Sequence, residues 1–523
     1  MNSINSKQVI NRLTLALLLS LFVSTTQARF ALVDLLTLNE LLDVKEPTNQ
    51  EVDSSSLNSL TDYLGAFQIN AHEPDTSDRF GFSVAVYGDT MVVGASSEDS
   101  NAVGVNNDAT NNDAPNSGAA YVYVFENGIW NLQAYLKASN AESSDQFGVA
   151  VDIFQDTIVI GARFEKSNAT GIDGNQLDNS ADRTGAAYIF TRNNGIWSQQ
   201  AYIKASNSGE HDWFGEPVAI YENTLAIGAV NEDSNSTGVD GDQNNDLATN
   251  SGAVYVFTRN GTSWSQQSYI KAFNTDFGDS FGQSVDIDNM TLLVGAIKED
   301  SDSIITNGVD NDLSENSGAV YLFNRNINTW IQHSYFKAFN NDENDEFGTS
   351  VSLLNNEIVI GAVYEDSSAT GINGNGFDDL APDSGAAYYY RKIVNDWVFQ
   401  GYIKASNTQS NDYFGFKVSL SNKTLLVGAF GEDSNATNIN GDETNNDSLS
   451  AGAAYLYKRP ATPIIWYQDA YLKSSVNPND GDFFSYSIAL TNKHIIAGAQ
   501  FYQSATGAVY SFIIDHLFND GFE

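Results

Sequence analysis

A chain of 523 residues with 66 acidic against 25 basic side chains carries a net charge of −41 and has no cysteine. That field repels nucleic acid and anionic membranes, and the missing thiols exclude disulfides and thiolate metal sites. A hydrophobic share of 41% with 12% aromatics excludes wholesale disorder, so stability has to come from packing, hydrogen bonds and, where a metal enters, an oxygen-bound cation such as calcium.

Residues 1–28 read as a secretory signal. Lys7 and Arg12 give a basic start, Leu13–Val23 is an apolar stretch, and Thr26 and Ala28 supply the small residues of a cleavage site. The apolar stretch is shorter than the roughly 20 residues that span a bilayer, and no later segment is long and apolar enough to be transmembrane. The expected protein is exported: secreted, periplasmic or bound at the cell surface. Residues 29–63 read as a short helix and a polar linker.

From there the chain repeats itself. Phe-Gly pairs preceded by Asp occur at Phe80, Phe147, Phe214, Phe281, Phe347 and Phe414, spaced by 67 residues or, once, 66; a degenerate seventh copy has Phe484-Ser485. A Gly-Ala pair follows each, at Gly94, Gly161, Gly228, Gly295, Gly361, Gly428 and Gly498. Each unit predicts four strands. Strand A alternates apolar and polar residues (FGQSVDI), and strand B is wholly apolar (TLLVGA, Thr291–Ala296). Strand C is rich in Val and Tyr (GAVYVFTRN), and strand D is WSQQSYIKA. Nothing like strand D follows the last strand C, whereas a D-like segment, Leu64–Ala71, precedes the first strand A. The prediction is an all-β, seven-bladed propeller of four-stranded antiparallel blades over 64–514, in which the N-terminal strand closes the last blade and removes the open edge. Residues 515–523 are an expected frayed tail.

The paired FG…GA pattern over 64–514 resembles the FG-GAP repeat of the integrin alpha-subunit propeller and of many exported bacterial proteins. The resemblance implies a propeller that binds partners. It does not carry the integrin calcium ligands over, because those lie between strands A and B, where this chain has only a tight turn (Ser83–Ala95). The acidic insertions fall between strands B and C instead. With alternating strand polarity the B–C and D–A connections share one face of the disc, which by resemblance is the integrin ligand-binding face.

In those loops a Gly, an aliphatic residue, Asp or Asn, any residue, and Asp or Asn recur. The pairs are Asn106/Asp108, Asp173/Asn175, Asp240/Asp242, Asp310/Asp312, Asn373/Asn375 and Asn440/Asp442. Oxygens at alternate positions open many calcium loops. The third loop adds Asn244 and Asp246, although Asn245 and Ser251 stand where an EF-hand has Gly and Glu. Two readings stand side by side: turns built from residues that cap their own backbone, or calcium held by Asp240, Asp242, Asn244 and Asp246. In the calcium reading Asp173, Asn175, Asp310, Asp312, Asn440 and Asp442 are ligands in sister loops. The repeated Glu98, Glu165, Glu232, Glu299, Glu365 and Glu432, and the Asp two residues before each Phe, are expected to cap backbone N–H groups. The Phe of each pair is expected to pack against the Tyr of strand C.

No catalytic residue is assigned. His72, His211, His333, His494 and His516 occupy unrelated repeat positions, and no nucleophile elbow, HExxH or phosphate loop occurs. The sequence therefore predicts a monomeric, non-enzymatic interaction or adhesion protein, presenting an acidic face to a protein or cation-bridged ligand. The alternative is a lectin-like glycan binder using loop aromatics such as Trp213 and Phe377. Last comes a glycoside-active enzyme built on paired carboxylates.

Overall fold

The computed structural model describes residues 66–460, 465–476 and 478–514. The expected signal, the 29–63 segment, Leu64, Gly65 and the 515–523 tail lie outside them. The described residues form seven four-stranded antiparallel sheets. In the fourth, strands A to D are Phe281–Asp288, Thr291–Ala296, Ala319–Asn326 and Thr329–Phe336, hydrogen-bonded in that order. Each strand A also contacts strand A of the next blade, and the circuit closes where Ser487–Leu490 of blade 7 meets Phe80–Tyr87 of blade 1. The A strands therefore form the inner ring.

Closure takes the predicted form. Phe67–Ile69 pairs antiparallel with Ala508–Ile513, in the register Phe67↔Ser511, Gln68↔Tyr510 and Ile69↔Val509, and serves as strand D of blade 7. One sheet thus holds both ends of the propeller, and opening the ring means breaking that short ladder.

The strand patterns follow from where each strand sits. Strand B lies between two neighbouring blades, so nearly every one of its residues is buried, as in Thr157–Ala162. Strand D is exposed at its outer end and buried at its inner end, as in Ser263–Ile270. The core is not one central mass but seven layers between blades. One joins Val92, Ala120 and Val122 of blade 1 to Ile158, Ile160 and Tyr188 of blade 2. Each fully buried side chain of this size contributes about 1.5–3 kcal/mol.

Backbone contact between blades explains the FG…GA pairing. A Cβ on Gly94 would lie 2.0 Å from the carbonyl oxygen of Gly148, the glycine of the next Phe-Gly, which itself has φ +88°. Gly161 faces Gly215 at 1.7 Å, and Gly498 faces Gly81 at 2.2 Å across the closure. Neither glycine tolerates a side chain without moving a blade. The Phe beside it lies edge-on to the strand-C Tyr in every blade, from Phe347–Tyr388 at 5.1 Å between centroids to Phe484–Tyr510 at 5.5 Å.

Candidate functional site

The loops joining B to C are the longest connections of each blade, 297–318 in blade 4, and they share a face with the D–A connections. Their first acidic position is a docking turn. Asp240 has φ 56°, its N–H donates to the Tyr269 carbonyl at 2.7 Å, and its Oδ1 accepts the Tyr269 N–H at 3.0 Å. Asp173 with Tyr202 and Asn440 with Tyr471 repeat this arrangement, as do Asn106 with Tyr135 and Asn373 with Tyr402. The short polar side chain permits the left-handed backbone and pins the loop to strand D.

Blade 4 departs from the spacing read in the sequence. There the docking residue is Asn307, paired with Tyr335, and not Asp310. The docking residue keeps its distance from strand B, and the Gly308-Val309-Asp310 pattern falls three residues beyond the register of its sisters. The Asp310 Oδ1 instead accepts the Asn274 amide at 2.7 Å, a place that backbone carbonyls fill in other blades. Asp312, with Asp310 and Asp300, adds to the burial that raises the Asp276 carboxyl.

The second acidic position caps its own turn. Asp242 Oδ1 accepts the Asn244 N–H at 3.1 Å, Asn175 Oδ1 accepts the Leu177 N–H, and Asp442 Oδ1 accepts both the N–H and the hydroxyl of Thr444. The Thr444 bonds hold Asp442 below the usual carboxylate range. Asp246 adds to the field that raises Asp212. Among the described residues no group of three or more His, Asp or Glu side chains converges as metal ligands. As folded, Asp240 and Asp242 each commit one oxygen to a backbone N–H and keep the second.

The repeated glutamates do more than cap. Glu232 Oε2 binds the Lys271 ammonium at 2.9 Å, its Oε1 accepts the Tyr269 hydroxyl at 2.8 Å, and Lys271 donates further to Ser251 Oγ. The same buried Glu–Lys pair occurs at Glu98/Lys137, Glu165/Lys204, Glu299/Lys337, Glu365/Lys404 and Glu432/Lys473. Burial holds each lysine below its ordinary value, against the opposing pull of its glutamate. An asparagine from the preceding blade completes the network. Asn207 donates to Glu232 Oε1 at 3.0 Å, while its own Oδ1 accepts the Tyr255 hydroxyl at 2.5 Å.

The Asp before each Phe-Gly does cap, by accepting the N–H three residues upstream. Asp212 takes Gly209 and Asp345 takes Asp342. Desolvation pushes these carboxyls up, Asp212 to about 7, Asp145 to about 8 and Asp345 to about 9. In the inner ring Asp152 and Asp286, each raised to about 7 mainly by burial, accept the N–H of Ile220 and Leu353 on the next blade. They satisfy the inner strand edge.

The acidic face carries an apolar set that sequence reasoning missed. Leu247, Leu313 and Leu380 stand at equivalent positions on blades 3, 4 and 5, each after an Asp, and are 76%, 70% and 78% exposed. Phe277, Val309 and Phe377 are also exposed on loops of these blades. The corresponding residue in blade 1 is Asp113, in blade 2 Ser180 and in blade 6 Asp447. The available signal was Asp-Leu recurring in register three times. Of the two aromatics singled out from sequence, Trp213 is half-buried 5.6 Å from Phe164, while the exposed Phe377 leans on Phe339. On the opposite face Tyr87, Phe154 and Tyr221, at the ends of successive A strands, form an arc with centroids 4.9 and 4.8 Å apart.

Six segments of the chain match the family model described as FG-GAP repeat: 68–123, 130–190, 197–257, 264–323, 330–390 and 397–457. Each runs D–A–B–C across a blade boundary, and the strands of the degenerate seventh unit lie beyond the last match. Solved structures with similar backbones include Sqt1 of Saccharomyces cerevisiae (10% identity, TM-score 0.40, covering 86% of this chain and 99% of that one). Another is a presumed 6-phosphogluconolactonase from Bacteroides uniformis (9% identity, TM-score 0.40, covering 73% and 84%). No curated protein matches the chain.

Proposed function

Since this chain belongs to the FG-GAP repeat family, we propose that it is an exported, non-enzymatic interaction protein whose B–C loop face holds a protein partner over blades 3–5. One observation carries the reading: three leucines in register, Leu247, Leu313 and Leu380, stand exposed among carboxylates on adjacent blades. Exposed apolar groups rimmed by charge mark interaction surfaces. Apolar contact supplies affinity, and the acidic rim speeds and selects the encounter. The complementary partner is a basic, amphipathic protein segment.

Two other forms of the proposal are separated by experiment. A cation-bridged form requires calcium in the third loop; EDTA abolishes binding in that form and leaves it intact in the direct form. A lectin form depends on Phe377 and is read on a glycan array. The test is selection from a displayed peptide library with the mature protein, in EDTA, followed by titration of the enriched peptides. Basic and apolar peptides that lose affinity on Leu247→Ser/Leu313→Ser/Leu380→Ser support the reading. Enrichment that ignores these leucines refutes it.

A further inference from the structure

Strand A starts on the B–C loop face, so the residues that follow each Phe-Gly surround the axis at that mouth of the propeller. Blades 6, 7 and 1 place aromatic rings there. Phe416 lies 5.0 Å from Tyr486 between centroids, and Tyr486 lies 5.5 Å from Phe82. All three are part-exposed, whereas the Phe of each pair is buried in the core. The far side of the mouth is charged: Arg163 of blade 2 donates to Glu216 Oε2 of blade 3 at 2.5 Å. Burial and Glu216 raise the Tyr486 hydroxyl, while Gln500, Arg163 and Arg79 draw it down. Blades 3 and 7 are not neighbours in a ring of seven, so side chains on them that act on each other face the axis.

Lys417 breaks the repeat at this mouth. Its place is held by Ser83, Ser284, Ser350 and Ser487 in blades 1, 4, 5 and 7, and each serine hydroxyl donates to a glycine carbonyl of the next blade at 2.7–2.9 Å. Ala150 and Pro217 fill it in blades 2 and 3. A serine therefore serves the fold, and the lysine of blade 6 gives that bond up. The Lys417 ammonium lies 5.1 Å from the centre of the Phe416 ring and makes no hydrogen bond or ion pair among the described residues. Burial holds it below its ordinary value, and Glu216, already met by Arg163, pulls it back up. A charge drawn partly out of water without a counter-ion is costly. The side chain is part-exposed, so a ligand entering the mouth can reach it.

We propose that the axial mouth binds an aryl carboxylate, with the carboxylate on the Lys417 ammonium and the flat body against Phe416, Tyr486 and Phe82. One negative charge on a flat apolar body answers both halves of this wall, by a charge-assisted hydrogen bond and by ring contact. The chemistry excludes the near relatives. A cationic guest meets Lys417, Arg163 and Arg79. A dianion such as inorganic phosphate meets Glu216 and finds a single uncommitted ammonium, because Arg163 is held by Glu216 and the Arg79 guanidinium lies 5.3 Å from the centre of the Phe501 ring. A small aliphatic carboxylate leaves the aromatic wall uncovered. The residues named for the ligand lie on blades 6, 7 and 1, so the site stands or falls independently of the blade 3–5 leucines.

The test titrates benzoate, benzamide, benzylammonium and acetate into the mature protein by ligand-detected NMR. Saturable binding of benzoate is expected, with benzamide weaker by about tenfold, the loss of one hydrogen bond to a charged group, and benzylammonium and acetate without effect. Lys417→Ser, which installs the residue of the sister blades, is expected to abolish benzoate binding, and Lys417→Arg to keep it. Phe82→Leu leaves the ammonium in place, removes one ring of the wall and is expected to weaken benzoate about threefold. Lys423→Ser, in the A–B turn on the opposite face, is expected to change nothing. Benzoate binding that survives Lys417→Ser, benzamide as strong as benzoate, or no saturable benzoate binding would overturn the proposal.

Discussion

Blades 1 to 6 and blade 7 reach the same four-stranded sheet by different interior chemistry. Each of the first six buries a Glu–Lys pair, with a tyrosine hydroxyl on the glutamate. In the seventh Tyr502 replaces the glutamate, Asn70 the lysine, and Ser485 the Phe-Gly glycine. Glutamate and lysine thus leave together. A buried charge is tolerated only with its partner, and an aromatic packing of similar volume serves the fold as well. The Glu–Lys pair is therefore a unit within each blade and dispensable as a unit.

Four perturbations test that comparison. Lys271→Met strands Glu232 in the interior and is expected to cost about 3–5 kcal/mol, read as a drop in the denaturant midpoint. Glu232→Met with Lys271→Met imitates blade 7 and is expected to regain most of that loss; a double variant as unstable as the sum of the singles would contradict the unit. Next, Gly161→Ala drives a Cβ to 1.7 Å from the Gly215 oxygen, against 2.8 Å for Gly428→Ala beside Ser485. The first is expected to cost about 1–3 kcal/mol and the second clearly less. Equal costs would show that the blade 7 junction is no looser than the others.

Asn207→Ala is expected to leave the Tyr255 hydroxyl without its acceptor, at about 1–2 kcal/mol. The last test is the pH dependence. Asp145 and Asp345 are raised to about 8 and about 9 by burial. A raised carboxyl holds its proton in the folded state after the unfolded chain has released it. Stability is then complete below the ordinary carboxylate range and falls as pH rises toward 8 or 9. The thermal midpoint is expected to be higher at mildly acidic pH than at mildly alkaline pH, with part of the slope removed by Asp145→Asn. A midpoint that rises with pH would show these carboxyls to be ionised in the fold.

The architecture was legible because it rests on local periodicity repeated in register: strand B of blade 4 runs Thr291–Ala296 in both the prediction and the fold. Closure was legible from an unequal strand count. The side-chain networks were not, because Glu232 and Lys271 are 39 residues apart and Asn207 reaches across a blade boundary. The Tyr-x-Lys-Ala-x-Asn run at the end of strand D was there to be matched with the glutamate. The register of the blade 4 loop was not legible, because the docking place on strand D is taken by Asn307 and the Gly-Val-Asp motif lies three residues beyond it. The leucines of blades 3–5 were passed over as minor members of polar loops, since sequence gives composition and not exposure.

The reading of the B–C loop face as a partner surface is tested most directly by titrating one selected basic, amphipathic peptide against the mature protein and its Leu247→Ser/Leu313→Ser/Leu380→Ser variant in EDTA. The account predicts saturable binding to the parent protein that is lost in the variant and kept by Leu177→Ser on blade 2. Equal affinity for parent and variant, or binding only when calcium is restored, would contradict it.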